Sequence, residues 1–211
     1  MANFKTRAVT ADEFKSIVST IRNGFTTVSG VRVRPAPVVA AALLAQGNLG
    51  LRIGDICRLK LSDFVYENGR YRFGSFVEEK TKKVRTLPIS SEFYAHLQSY
   101  AIKNGIGESD LLFPVSVRTV QHHLKQVTDY LHITGVASHS MRKFLATSLY
   151  SQTKDTELVR SVLLHSSIQV TQNYLSIEPE AVGQALQNHF VLPAYAEERK
   201  VKHEKSYSKK L

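Results

Sequence analysis

A mainly α-helical fold with one small antiparallel β-sheet is the class this sequence predicts, and three observations predict it. Apolar residues recur at helical spacing over most of the 211 residues, the spacing shortens to alternation only after Asp63, and helical spacing returns by Phe93. No internal repeat or low-complexity linker divides the chain, so a single domain is expected over residues 1–193, and a hydrophobic content of 43% suffices for its core.

The elements follow in order. Thr10 and Glu13 form a capping box ahead of Phe14, Ile17, Val18 and Ile21, which share one helical face, and the helix ends near Asn23 and Gly24. The stretch FTTVSGVRVRPAP has no clear period and leads through Pro35 and Pro37 into VVAAALLAQ, whose alanines and nearly unbroken apolar surface predict a helix buried on most sides. After Asn48 and Gly50, a turn and a short helix are expected, with Leu51, Ile53, Ile56 and Leu59 inward and Arg52, Asp55 and Arg58 in polar surroundings. In RYRFGSFVEE, Tyr71, Phe73, Ser75 and Val77 alternate with Arg72, Gly74, Phe76 and Glu78. With VRTLPI after KTKK, this predicts the small sheet and a basic hairpin. Phe93, Leu97, Tyr100 and Ala101 mark the buried face of the next helix, which Gly105 stops. Further helices are expected over about 116–130, 140–150 and 156–164, then a short one carrying Tyr174 and an amphipathic one over about 179–189. Residues 194–211 hold six Lys or Arg, three Glu and almost no aliphatic side chains, which predicts a basic, mobile or partner-ordered tail.

Charge narrows the partners. With 28 Lys and Arg against 18 Asp and Glu, the net charge of +10 favours a polyanion, nucleic acid ahead of an anionic membrane surface. The apolar run 38–45 is far short of the ~18 residues that span hydrocarbon, so no membrane role is expected. No apolar signal-peptide core opens the sequence and the lone Cys57 cannot form an internal disulfide, which together predict a cytoplasmic protein. His122 and His123 are adjacent and no histidine has a cysteine pair at zinc spacing, so neither metal nor cofactor is expected.

Five places can carry chemistry, and each also has a plain structural explanation. Arg52, in GLRIGD, can pair with Asp55 or face a ligand. Lys80, Lys82, Lys83 and Arg85 form a charged turn that suits a solvated hairpin as well as a lysine held over a phosphate. His139 and Arg142 lie one turn apart at a helix start whose free amides attract anions, a spacing that surface residues also show. Lys143 and Lys154 read as solvated charges or non-specific phosphate contacts. In LLHSSIQVTQNYLSIEP, Tyr174 stands nine positions after His165, as a helix anchor or as a nucleophile. Taken together they meet the needs of phosphodiester cleavage without a metal. Arg52, Arg142 and His165 can hold the non-bridging oxygens, Tyr174 can attack, Lys80 can protonate the departing oxygen and His139 can hold or accept the tyrosine proton.

The ordered set resembles the tyrosine recombinase, or phage integrase, family. GLRIGD with Arg52, EEKTKK with Lys80, HSMR with His139 and Arg142, LLH with His165 and QNYLSI with Tyr174 match that family's pattern over roughly residues 6–190. The resemblance implies a mainly helical catalytic domain with a small antiparallel sheet. It also implies a site-specific recombinase acting on double-stranded DNA through a 3′-phosphotyrosyl intermediate, working as a tetramer in the synapse, with DNA-bending accessory proteins as possible partners and a bacterial or phage-infected cell as its setting. A type IB topoisomerase-like enzyme and a non-cleaving DNA-binding accessory protein of the same fold are the alternatives. Two departures stand out. Leu164 occupies a position where the family often has glycine, and no N-terminal helical domain fits before residue 6, so the resemblance is to short catalytic-domain members or to a fragment of a longer integrase.

Overall fold

The computed structural model describes residues 6–164. Helix α1, Ala11–Asn23, begins where the sequence predicts, because Thr10 Oγ1 accepts from the Glu13 amide at 3.1 Å while Glu13 Oε2 accepts from the Thr10 amide at 2.9 Å. Its buried face, Phe14, Ile17, Val18 and Ile21, packs on α2, Pro37–Leu49. Pro37 suits the first turn of α2, where a missing N–H costs nothing, and the helix is buried from Ala42 to its end, including Gln46 and Asn48. Asn48 survives burial because its Nδ2 donates to the Leu44 carbonyl at 2.9 Å. Gly47 lets the two helices close up: a Cβ there would stand 2.5 Å from Cε2 of Phe14, whose ring is stacked on Phe144 at 4.8 Å.

Helix α2 stops at Gly50, which takes a left-handed conformation (φ 64°) and donates to the Gln46 carbonyl at 3.0 Å. Leu51 and Ile53 then bury themselves on either side of an extended Arg52, and α3, Ile53–Ile56, follows.

Among the described residues the strands form three antiparallel pairs: β1, Phe25–Thr26, with β2, Arg32–Val33; β3, Phe64–Glu67, with β4, Arg70–Phe73; and β5, Phe76–Val77, with β6, Val84–Arg85. Asn68 and Gly69, both at positive φ, make the tight turn between β3 and β4. Segment 87–89 extends the sheet beyond β4 through Phe73 N to Leu87 O and Ile89 N to Tyr71 O. Two expectations are corrected. The β1–β2 hairpin lies in the stretch without a period. The alternation expected from Tyr71 through Val77 breaks at Gly74 and Ser75, so Phe73 and Phe76, three positions apart, are both buried and Val77 faces out. Their rings, 5.6 Å apart, belong to an aromatic cluster with Phe64, and burial of that cluster outweighs an unbroken ladder.

Helices α4, Ser91–Lys103, and α5, Val117–Tyr130, are capped by the hydroxyls of Ser90 and Ser116. Helix α6, Ser138–Thr153, packs against α2 and α5, and α7, Thr156–Leu163, closes on α6 through Leu145, Leu149, Leu158 and Val162. Leu164 ends α7 at φ 50°, in the left-handed region that a glycine takes without strain, and its side chain is buried. The helices expected around Tyr174 and over 179–189, and the tail, lie outside the described residues. No described helix is long and apolar enough to cross a membrane.

Candidate active site

Extended backbone fixes Arg52. With Leu51 and Ile53 anchored inward, the intervening side chain turns outward, and its Nη1 donates to Glu78 Oε2 at 2.6 Å. The pairing with Asp55 is corrected. Asp55 accepts from Arg58 Nη2 at 2.7 Å and from the Glu79 amide at 2.8 Å, which leaves Arg52 to Glu78.

Glu78 is the hub. Strand phase puts it on the same side as Phe76, and its relative exposure is 0%. Cross-strand pairing puts Arg85 opposite Phe76, so Arg85 is also interior, at 1% exposure, rather than part of a solvated turn. Arg85 donates Nη2 to Glu78 Oε1 at 2.8 Å and Nε to the same oxygen at 3.2 Å, with Nη1 on the Leu49 carbonyl at 3.4 Å. Thr81 Oγ1 adds a bond to Oε2 at 3.2 Å. Burial alone would raise the Glu78 carboxyl, but Arg85, Arg142 and Arg52 outweigh it and hold the group below its ordinary value. It is a carboxylate.

Arg142 comes from the second turn of α6 and is only 6% exposed. Its Nη2 donates to the Leu163 carbonyl, at the end of α7 where carbonyl dipoles favour a cation. Its Nη1 is buried with no hydrogen-bond partner among the described residues. Burial, then Arg85 and Arg52, push the guanidinium down to about 10 against the pull of Glu78 and Asp55, so it stays charged at neutral pH. Arg52 and Arg85 both bond Glu78, while Arg142 feels Glu78 and Asp55 only at a distance and has no ion pair of its own among the described residues, so positive charge is in surplus. The surplus suits an anion.

His139 is exposed in the first turn of α6, whose N-cap, Ala137, offers no side-chain oxygen to the amides. Partial burial, followed by Arg142, Arg52, Lys80 and Lys143, lowers its imidazole below the ordinary value, so it is neutral at pH 7. Lys80 lies near enough to His139 to take part in that lowering. Lys80 is exposed on the turn after β5, without a hydrogen bond or ion pair among the described residues, whereas Lys83 Nζ donates to the Leu164 carbonyl at 3.3 Å. Lys143 is not a solvated charge, since its Nζ donates to the Thr6 carbonyl.

The structure thus brings Arg52, Lys80, His139 and Arg142 together. His165 and Tyr174 lie outside the described residues, although Leu163 and Leu164, which lead to them, are held by Arg142 and Lys83. The sequence reading missed Glu78 and Arg85. Their signal was available in the β5 phase, which turns Glu78 inward with Phe76. Among the described residues, no three His, Cys, Asp or Glu side chains cluster in a way that could hold a metal ion.

Known structures share this architecture. An integrase from mycobacterium phage Brujita superposes with a TM-score of 0.59 at 16% identity, over 89% of this chain and 58% of that one. A post-cleavage complex of the XerH site-specific recombinase with a palindromic difH substrate gives 0.57 at 20% identity, over 87% and 53%. At these identities the likeness is one of fold. The chain belongs to the phage integrase family, the tyrosine recombinases, which matches residues 7–180. Tyrosine recombinase XerA of Pyrococcus furiosus is 25% identical over 189 residues, which cover 86% of this chain and 61% of that protein. The chain therefore spans about three-fifths of that relative's length.

Proposed function

We propose that this chain is the catalytic part of a site-specific DNA recombinase, with residues 1–193 as the catalytic domain, 194–211 as a basic tail, and Arg52, Lys80, His139, Arg142, His165 and Tyr174 as the reacting set. The supporting observation is the buried Nη1 of Arg142, without a partner among the described residues and near Arg52 and Arg85, where the charge surplus suits a phosphate. A site-specific recombinase of the same fold, XerH, is bound to its palindromic difH substrate in a post-cleavage complex, which also supports the reading.

The chemistry follows from the groups. Arg52, Arg142 and His165 donate to the non-bridging oxygens and bind most strongly as charge develops on them. The Tyr174 hydroxyl, a weak nucleophile while protonated, loses its proton toward neutral His139 as its oxygen bonds to phosphorus. The bond from phosphorus to the 5′ oxygen breaks, and Lys80 gives that oxygen a proton. A 5′-hydroxyl from the partner duplex reverses the step on a new strand. The energy of the phosphodiester is kept in the phosphotyrosyl bond, so rejoining needs no nucleotide hydrolysis. Two duplexes and a tetramer align the exchanging ends.

The test is incubation with nicked suicide DNA carrying inverted repeats, followed by denaturing electrophoresis. A covalent protein–DNA species that maps to Tyr174 is expected. Its absence across a library of repeat sequences, or an adduct on another residue, overturns the assignment.

A further inference from the structure

We propose that Glu78 is a positioning residue that holds Arg52 and the Lys80 turn in one arrangement before DNA arrives. The inference rests on the function proposed above. It starts from an oddity: a carboxylate is wholly buried in the middle of a site built to attract a phosphate, where it opposes the field the substrate needs.

Geometry resolves it. Four hydrogen bonds converge on the carboxylate, two from Arg85 on one oxygen and one each from Arg52 and Thr81 on the other. Arg85 is interior, so it serves as the fixed counter-charge that lets Glu78 remain ionised out of water. Arg52 is different, since its side chain keeps 21% exposure and can turn its remaining N–H groups to solvent and to a ligand. Thr81 belongs to the turn that carries Lys80, and that turn is also tied to Glu78 through its main chain, with the Lys82 amide on the Glu78 carbonyl at 2.9 Å and the Glu78 amide on the Lys83 carbonyl at 2.9 Å. One residue therefore connects the arginine offered to the phosphate with the turn offering the acid. An arginine left free would have to be ordered by the substrate at each encounter, whereas a planar guanidinium pinned at one nitrogen presents a set edge.

The test is a double-mutant cycle on the full chain, read by single-turnover cleavage of suicide DNA, DNA affinity and thermal unfolding. E78Q keeps the shape and removes the charge, but strands Arg85. E78M/R85M replaces the buried pair with apolar side chains, an exchange that buried ion pairs commonly tolerate, and so keeps the question open to a folded variant. The folded double variant is expected to bind DNA and to cleave about a hundredfold more slowly, the scale of loss that follows small misplacement of a reacting group. In an R52A background the same change is expected to cost about tenfold or less, because the share that acts through Arg52 is already gone and only the Lys80 turn is left to be misplaced. Wild-type cleavage by folded E78M/R85M overturns the inference, and so does an equal loss with and without Arg52. Adduct formation by the wild type alongside either result leaves the proposed function standing, while a wild type without any adduct overturns both.

Discussion

Replacing Arg142 with methionine is expected to make the free protein more stable and the enzyme inactive. Its surroundings push the Arg142 guanidinium strongly toward neutrality, down to about 10. At about 1.4 kcal/mol for each tenfold weakening of proton binding, holding it charged costs the folded state about 3 kcal/mol. A cation whose pKa falls on folding penalises the folded state fully at every pH below its folded value, and the penalty fades only as pH rises above about 10. Methionine removes the penalty but also removes the charged bond to the Leu163 carbonyl, a contact of about 2 kcal/mol. The balance is a gain of about 1 kcal/mol, which for a chain of this size raises the melting temperature by about 3 °C. Cleavage should fall by a factor of about 100 to 1,000, the loss expected when one donor to a developing oxyanion is removed. Calorimetry at pH 7.5 beside single-turnover cleavage measures both. A melting temperature below wild type refutes the claim that Arg142 is held against its environment, and cleavage within tenfold of wild type refutes its place on the phosphate.

Tyr174→Phe should abolish the phosphotyrosyl product while leaving stability within about 1 kcal/mol of wild type, since only a hydroxyl is lost; an undiminished adduct rejects Tyr174 as nucleophile. Lys80→Ala should be rescued by a bridging 5′-phosphorothiolate, whose leaving sulfur needs little protonation, far more than Arg52→Ala; equal rescue of both rejects the acid role. Gly47→Ala should destabilise by about 1–2 kcal/mol in denaturant unfolding, because the clash with Phe14 exceeds the gain in helix propensity. A stability gain there would mean that the α1–α2 contact yields freely.

What could be read from the sequence was what local chemistry decides. The capping box at Thr10 and Glu13, the apolar run of α2 and the inward set Leu51, Ile53, Ile56 and Leu59 all appear as expected, because each depends on neighbours within a turn or two. The β1–β2 hairpin was hidden because two-residue strands carry no period. Arg52 and Arg142 stood out by motif, yet their surroundings did not. Arg85 read as part of a charged turn and Glu78 as one place in a strand alternation, and only the offset between Phe73 and Phe76 shows that both point inward. Leu164 was noticed as a departure, but that it holds a left-handed conformation with its side chain buried comes from the fold.

The stitching of residues 6 and 7 has a mechanical consequence. Arg7 grips Glu13 with two bonds of 2.7 and 2.6 Å, passes its Nε to the Thr134 carbonyl at 3.0 Å, and docks its amide on Gly135 at 2.9 Å, while Lys143 of α6 holds the Thr6 carbonyl. The entering segment is thus bonded to both the loop before α6 and the helix itself. A pull applied at residue 6 is therefore passed through these bonds to the helix that carries His139 and Arg142. Anything joined ahead of this point has a handle on the site without touching it.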